Sequence, residues 1–248
     1  MGLLEKAREK FAKVCRQRGV DLAAQVQVRP LTPKEAIGEK ANPDFAIKRG
    51  KEVVIEATFG DARGQAFTDC PSHWTGTLAD LMSLDLANIQ NRAVFVAGLN
   101  AIMRSLGMAT GTVHCRDADP ERCGPKMADL IEQRYGKARV GLIGLQPAIL
   151  RALVERFGPG SIRVLDLNPE NIGRIRSQML VENGAKDLPD LVEWCDVGLA
   201  TGSTVVNASM DEIVLRFEKA RKPLIFFGNT ISGAAALLGL ERLCPFCQ

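Results

Sequence analysis

Apolar side chains recur at Leu3, Leu4, Ala7, Phe11 and Val14, which is the spacing of one helical face, and Gly19 ends the run. The pattern predicts a helix over residues 3–18. The rhythm then changes. In AAQVQVRPL, Val26 and Val28 alternate with polar residues, as on a half-buried strand. DFAIKRGKEVVIEATFG places two apolar runs around KRGK, and the second, Val53 to Phe59, is rich in β-branched residues, so a hairpin is expected. The stretch GDARGQAFTDCPSHWTG is dense in Gly, Asp, Ser and Pro and reads as a loop. Residues 76–106 read as two helices, the second being NRAVFVAGLNAIMRSLG. A helix, about three strands and further helices make an α+β pattern.

Residues 107–124 carry no clear period and form the expected boundary. Beyond it apolar strands alternate with helices. The strands are ARVGLIG, SIRVLDLNP, CDVGLAT and KPLIFFG. The helices are PKMADLIEQRYG, PAILRALVERFG, NIGRIRSQML, STVVNASMDEIVLRFEKA and SGAAALLGLERL. This alternation predicts a Rossmann-like, doubly wound open parallel sheet. The expected fold class is therefore α/β, with a smaller α+β domain over 1–107, a linker over 108–124 and the open-sheet domain over 125–248.

Composition narrows the function classes. Of 248 residues, 46% are hydrophobic and 25% charged, which is ordinary for a soluble globular chain. The net charge of +3 and the lack of a Lys/Arg stripe interleaved with aromatics argue against nucleic acid. MGLLEKAREK turns charged after four residues, unlike a signal peptide, and no apolar run is long enough to cross a bilayer. The expectation is a cytoplasmic protein without a membrane partner. In that compartment the seven cysteines read as free, metal-bound or reactive, and the odd count leaves at least one unpaired within the chain.

Ligands of an open parallel sheet bind beyond the carboxyl ends of its strands. Four loops qualify: Gly144–Pro147, the turn after Asp166, Thr201–Thr204 and Gly228–Gly233. Asp166 lies about 20 residues after the first loop, where a dinucleotide fold places its ribose-binding acid. The glycine fingerprint is missing, however, and Leu145 and Pro147 stand where backbone should approach a pyrophosphate. No normally bound dinucleotide is expected, and Asp166 reads equally as the cap of a strand-to-helix turn. Thr201, Gly202, Ser203 and Thr204 open a helix and offer hydroxyls and backbone N–H groups, suited either to an anion or to N-capping. Asn229 and Thr230 share that ambiguity. Gly144, Asp166, Thr201–Thr204, Asn207, Asn229 and Thr230 form the candidate ligand-binding set.

The soft chemistry lies in HCRDADPERCG, residues 114–124, and in the C-terminal CPFCQ. His114 and Cys115 followed by Cys123 do not match a standard finger spacing, but Cys244 and Cys247 form a C-x-x-C. Cys115, Cys123, Cys244 and Cys247 make a possible four-thiolate set, with His114 able to replace one member. Such ligands favour zinc, copper(I), iron or an iron–sulfur cluster over magnesium or calcium. Topology argues against one joint site. The linker sits near the ligand-binding edge, whereas the last helix runs away from it, and roughly ten helical residues span about 15 Å. Unless the tail doubles back or a partner subunit supplies it, two separate features are expected, and inert buried thiols are the alternative. RDADPER reads as a solvated turn bent at Pro120. His73, beside Cys70 and Trp74, reads as a loop histidine with a local hydrogen bond, although it could face the same cleft. No G-x-S-x-G, H-E-x-x-H or P-loop is present, so no catalytic residue is assigned.

TGSTVVNASMDEIV, PLIFFGNTISG, RVGLIGLQPAIL and HCRDADPERCG together resemble a prokaryotic family named for heavy-metal chelation. GQAFTD, HWTGTLADL and RAVFVAGLNAIMRSLG fit the same pattern, so the resemblance spans nearly the whole chain. It implies an N-terminal domain like that of enolase, a Rossmann-like C-terminal domain and a cleft between them that handles a metal or a metal-bearing small molecule. CPFC is not assigned to the family pattern, and whether it joins the cleft is left open. Enolase chemistry is not implied, because an open-sheet pattern replaces the barrel that carries it. The leading expectation is chelation of a soft metal ion, or of a metal-bearing small anionic ligand, in the interdomain cleft. One rival is an enzyme acting on a small anionic metabolite in cofactor or metal-cofactor metabolism. Another is an iron–sulfur protein that uses Cys244 and Cys247 across a homodimer interface.

Overall fold

The computed structural model describes residues 1–39 and 52–248. The N-terminal amphipathic pattern forms α1 (Leu3–Gln17), which buries Leu4, Ala7, Phe11 and Cys15. An antiparallel sheet follows, made of β1 (Gln25–Pro30), β2 (Val53–Phe59), β3 (Ala62–Thr68) and β4 (Trp74–Thr77), in the order β3–β2–β1–β4. The short helices α2 (Pro33–Ile37) and α3 (Leu78–Ser83) each begin with a capping box, at Thr32/Glu35 and Thr77/Asp80. The long helix α4 (Ile89–Ser105) buries every residue from Ala93 to Met103 and packs against β3 and β2. A helix apolar all round must be enclosed. Gly64 of β3 permits that enclosure, since a Cβ there would stand 2.1 Å from the Ala101 nitrogen.

The pairing of β2 corrects the sequence reading. Its hairpin partner is β3, in register from Val53↔Thr68 to Phe59↔Ala62, with the turn at Gly60–Asp61, and β1 pairs along its other edge. The segment expected to be a loop thus supplies two strands, β3 and β4. Its small residues Gly64 and Ala66 lie beneath α4, and packing there outweighs their weak strand propensity. The other expected arm of the hairpin, at residues 44–47, lies outside the described residues.

The second sheet has seven strands in the order β11–β10–β9–β5–β6–β8–β7. They are β5 (Val140–Ile143), β6 (Ile162–Asp166), β7 (Ile175–Arg176), β8 (Met179–Asn183), β9 (Val197–Thr201), β10 (Leu224–Phe227) and β11 (Arg242–Leu243). All pairings are parallel except β7 with β8. Between them run α5 (Asp119–Tyr135), α6 (Pro147–Phe157), α7 (Leu188–Trp194), α8 (Met210–Ala220) and α9 (Ser232–Leu238). The protein is a mixed α/β fold, and its parallel sheet is the predicted one. The chain winds from β5 to β6 on one side and returns to β9 on the other. That reversal opens a crevice at the strand ends.

Several expected elements differ. NIGRIRSQML is a β7–β8 hairpin, not a helix. Ser177 and Gln178 have φ of 44° and 68°, the left-handed pair of a two-residue hairpin turn. Ile172, Ile175 and Met179 mimic helical spacing, but of this stretch and β8 only Val181 is buried. STVVNASMDEIVLRFEKA is not one helix: a short 3-10 turn (Gly202–Val205) precedes α8, and Ala208 at φ 65° separates them. α5 starts at Asp119, so Cys123 is helical and Pro120 is a buried first-turn residue rather than the bend of a solvated turn. The last helix ends at Leu238, where Gly239 at φ 71° turns the chain back into β11.

The two sheets meet through α4. One apolar cluster runs from Phe11, Val28 and Phe95 to Phe217, Phe226 and Ile231 of the parallel-sheet half. A second cluster fills the opposite face of that sheet, beneath α5 and α6. Within the first, the buried Asn100 amide nitrogen donates to the carbonyls of Gln65 (2.9 Å), Thr230 (2.8 Å) and Asn229 (3.3 Å). Its oxygen accepts the Gly233 N–H at 2.7 Å. Asn100→Leu leaves these buried groups without their partner, so urea unfolding should show a loss of about 2–4 kcal/mol. A surface control such as Asn91→Ala should lose less than half as much.

Candidate functional site

A cavity of about 900 Å³ lies at the crevice, where the carboxyl ends of β5, β6, β9 and β10 face the end of β3 and the segment entering α5. All of the sequence-predicted ligand and metal candidates line it: Gly144, Asp166, Thr201–Thr204, Asn207, Asn229, Thr230, His114, Cys115, Cys123, Cys244 and Cys247. His73 is exposed and does not line it.

Many of the predicted polar groups are occupied by the fold. The two Asp166 carboxylate oxygens accept the N–H groups of Leu145 (2.8 Å) and Asn168 (2.6 Å), so this residue ties two loops together. Thr201 Oγ1 accepts the Ser203 N–H at 3.4 Å, and the Thr204 hydroxyl donates to the Thr201 carbonyl at 2.9 Å. Asn207 Oδ1 accepts from the N–H and hydroxyl of Ser209. Thr230 Oγ1 accepts the Phe67 N–H at 3.1 Å. These are the caps and turns that Ser, Thr, Asn and Asp favour.

Two atoms stand apart. Among the described residues, His114 Nδ1 and Asn229 Oδ1 are the buried side-chain nitrogen and oxygen atoms without a hydrogen-bond partner. The Asn229 amide nitrogen faces the carbonyls of Gln65 and Thr112, each at 3.4 Å, so its oxygen turns the other way. His114 is fixed through its backbone N–H, which donates to Gln65 Oε1 at 2.9 Å. Its ring meets Phe67 edge-on, with centroids 5.1 Å apart. Burial pushes the imidazole down to about 4 against the opposing effect of a hydrogen bond to the Cys115 backbone, so it is neutral at pH 7. Burial also pushes Cys115 up to about 12 and Cys123 up to about 11, and nearby Asp119 adds to both shifts. Both are neutral thiols. A wall of neutral imidazole and thiols suits a soft cation that displaces the thiol protons.

Sequence reasoning missed the carboxylates of Glu52 and Asp69, which line the same cavity. Burial, with the charges of Asp166 and Asp69, pushes Glu52 up to about 7. It also missed Gln65 and Asn100, which orient the wall. A lone Asn inside the apolar run of α4 was the available signal for the second.

The tail corrects a further expectation. The two cysteine groups were expected to lie apart, yet Cys244 and Cys247 line the cavity with Cys115 and Cys123. The tail doubles back. Gln248 and Val113 exchange backbone hydrogen bonds of 2.8 and 2.9 Å, and the Arg242 guanidinium donates to the carbonyls of Thr110, Gly111 and Gly228. Cys244 and Cys247 stand side by side as a disulfide pair, with their Cα atoms 5.7 Å apart. Among the described residues no three His, Cys, Asp or Glu side chains converge as a metal-holding group.

The model of the DUF364 family, described as "Putative heavy-metal chelation", matches residues 126–240. This region is a DUF364 region. A crystal structure of a DUF364 protein of unknown function from Pyrococcus horikoshii is similar at TM-score 0.55 and 17% identity, covering 92% of this chain and 79% of that one. At that identity the likeness is one of fold. A DUF364 structure of unknown function from Desulfitobacterium hafniense DCB-2 matches at TM-score 0.48 and 15% identity, covering 76% of this chain and 72% of that one. No curated protein matches. The DUF364 match contains the Thr201 and Asn229 loops but stops short of His114, Cys115, Cys123, Cys244 and Cys247. Among the described residues no helix is long and apolar enough to cross a membrane.

The His114 shift has a testable sign. An imidazole depressed to about 4 from an ordinary 6.5 binds fewer protons than it does in the unfolded chain between those values. Its contribution to stability is therefore complete above pH 6.5 and is lost as pH falls toward 4. NMR titration should place its midpoint near 4. Urea midpoints at pH 7 and pH 4.5 should differ less in His114→Gln than in the natural chain.

Proposed function

We propose that the cavity holds a soft metal ion carried within a small anionic molecule. The observation that carries this reading is the unpartnered His114 Nδ1, set in one cavity wall with the neutral thiols of Cys115 and Cys123. A buried ring nitrogen without a partner is costly unless a ligand completes it.

Size and donor number support the metal complex over the bare ion. Zinc ligands stand about 2.0–2.3 Å from the ion and a closed protein site supplies four of them. The cavity is about 900 Å³, the scale of an organic ligand, and the protein donors facing it fall short of a closed set. The small molecule supplies the remaining donors. Its organic part extends toward the strand-end loops, where the N-terminus of α6 favours its negative charge. Glu52, Asp69, Asp166, Glu170 and Glu212 also line the space, so a free anion would meet five carboxyl groups among the described residues. A metal ion supplies the positive charge that offsets them, which favours this reading over an enzyme for a free anionic metabolite.

The test uses the full chain without an affinity tag. It should retain about one zinc ion per chain after desalting, more tightly when citrate accompanies the metal, and should not retain calcium. His114→Ala, or Cys115→Ser with Cys123→Ser, should weaken retention roughly 10–100-fold. Failure to retain zinc, copper(I) or iron above the level of these variants, measured by elemental analysis, overturns the reading.

A further inference from the structure

We propose that Cys244 and Cys247 are a thiol–disulfide couple built into the cavity wall, whose reduction turns the cavity into a four-cysteine soft-metal site with Cys115 and Cys123. The inference rests on the reading that this cavity takes a soft metal, and adds to it a redox state that sets the number of sulfur donors. Nothing in the DUF364 match reaches these residues, because it ends at residue 240.

The observation is a juxtaposition that chain order does not suggest. Four of the seven cysteines line one cavity, and they come from segments more than 100 residues apart. The tail is fastened on both sides of its cysteines by contacts that do not involve sulfur. Before them, β11 pairs with β10 and Arg242 grips the carbonyls of Thr110, Gly111 and Gly228. Beyond them, Gln248 pairs with Val113, one residue before His114. Between the two cysteines, the Phe246 ring lies 4.8 Å from the guanidinium of Arg122, the neighbour of Cys123. Cys247 abuts Gly111, where an added Cβ would stand 3.1 Å from the cysteine Cβ. Breaking the disulfide therefore frees two sulfurs without freeing the tail. The two Cα atoms are 5.7 Å apart, a separation at which a disulfide closes without backbone movement. Both cysteines are half-buried, within reach of a small reductant.

The balance is that of ordinary thiol–disulfide exchange. One thiolate of a small dithiol attacks a sulfur of the Cys244–Cys247 bond, forming a mixed disulfide and releasing the other cysteine. The second thiol of the reductant then displaces the first cysteine and leaves as a cyclic disulfide. The pair gains two electrons and two protons. When a soft metal binds, each coordinating thiol gives its proton to solvent. Among the described residues no three donors converge as the chain stands; a reduced tail would bring two free sulfurs to the wall that already has Cys115 and Cys123.

The test uses the full chain and Cd²⁺ alone, read by thiolate-to-metal charge-transfer absorbance and competition with a chelator. Two states are compared under nitrogen: one air-oxidised, one reduced with a phosphine and desalted, each verified by alkylation and mass measurement. Reduction should tighten Cd²⁺ binding roughly 100-fold and add charge-transfer absorbance. The variant Cys244→Ser with Cys247→Ser should bind equally in both states, at the level of the oxidised chain. The single variant Cys247→Ser, which keeps one tail sulfur, should fall between. Equal binding by the oxidised and reduced chains, tight binding retained by the double variant, or no disulfide after air oxidation overturns the couple. If His114→Ala and Cys115→Ser still lower binding when the tail variants do not, the couple falls and the cavity reading stands. If neither state binds Cd²⁺ alone, the couple falls, and the cavity reading is decided by the zinc retention measured with and without citrate.

Discussion

The site depends on one buried amide. Asn100 lies within the buried run Ala93–Met103 of α4, and its side chain reaches β3 of one sheet and the loop after β10 of the other at once. In a low-dielectric interior such a network is strong when complete and costly when broken. By holding the Gln65 carbonyl and the Asn229–Thr230 backbone to the same nitrogen, Asn100 sets β3 against the loop after β10. Gln65 then carries the constraint outward. Its side-chain oxygen accepts the His114 N–H, its side-chain nitrogen donates to Glu56, and its carbonyl faces the Asn229 amide. The two residues of the cavity wall that carry unpartnered buried atoms, His114 and Asn229, are therefore positioned by groups that are themselves satisfied. This is the arrangement that keeps an open binding position from collapsing.

What was legible in the sequence was the part that repeats locally. The helical face of α1, the alternation of β1, the enclosed α4 and the apolar strands of the parallel sheet all carry their period in contiguous residues. The elements that were misread derive their stability from partners far away. β3 has small and polar residues and is a strand because β2 pairs with it over seven residues and α4 covers it. The β7–β8 hairpin has helical spacing by coincidence and is decided by two left-handed residues, Ser177 and Gln178, and by pairing with β6. The tail strand is two residues long and exists because β10 presents a free edge.

The candidate site divides in the same way. The strand-end loops were found because the position of a crevice follows from topology, which the alternation of elements encodes. The roles of individual residues in them were less legible. Asp166, Thr201, Thr204 and Asn207 stand at the cavity, yet their side chains also perform the local capping that such residue types perform anywhere. Gln65 was invisible, and Asn100 was marked only as a lone polar residue in an apolar run, because their function appears only when residue 65 meets residue 114 and residue 100 meets residue 233. The distance argument that separated the two cysteine groups assumed that the last helix keeps its direction to the end, and Gly239 reverses it.

Electrostatics ties these features to a preference for cations. The imidazole and thiols on one wall are neutral, held so by burial. Burial, with the charges of Asp166 and Asp69, raises Glu52 toward neutrality, and no Lys or Arg among the described residues lines the cavity. A cavity with neutral soft donors and an excess of carboxyl groups is poorly matched to a bare anion and well matched to a positive centre that is only partly coordinated. A metal bound there would stabilise the thiolate forms, draw a proton from each coordinating cysteine and complete the His114 lone pair in a single event. The same reasoning makes the tail consequential. It lies on the wall where added sulfur donors change how much positive charge can be held, and its anchors at Arg242 and Gln248 keep it there independently of the bond between its cysteines.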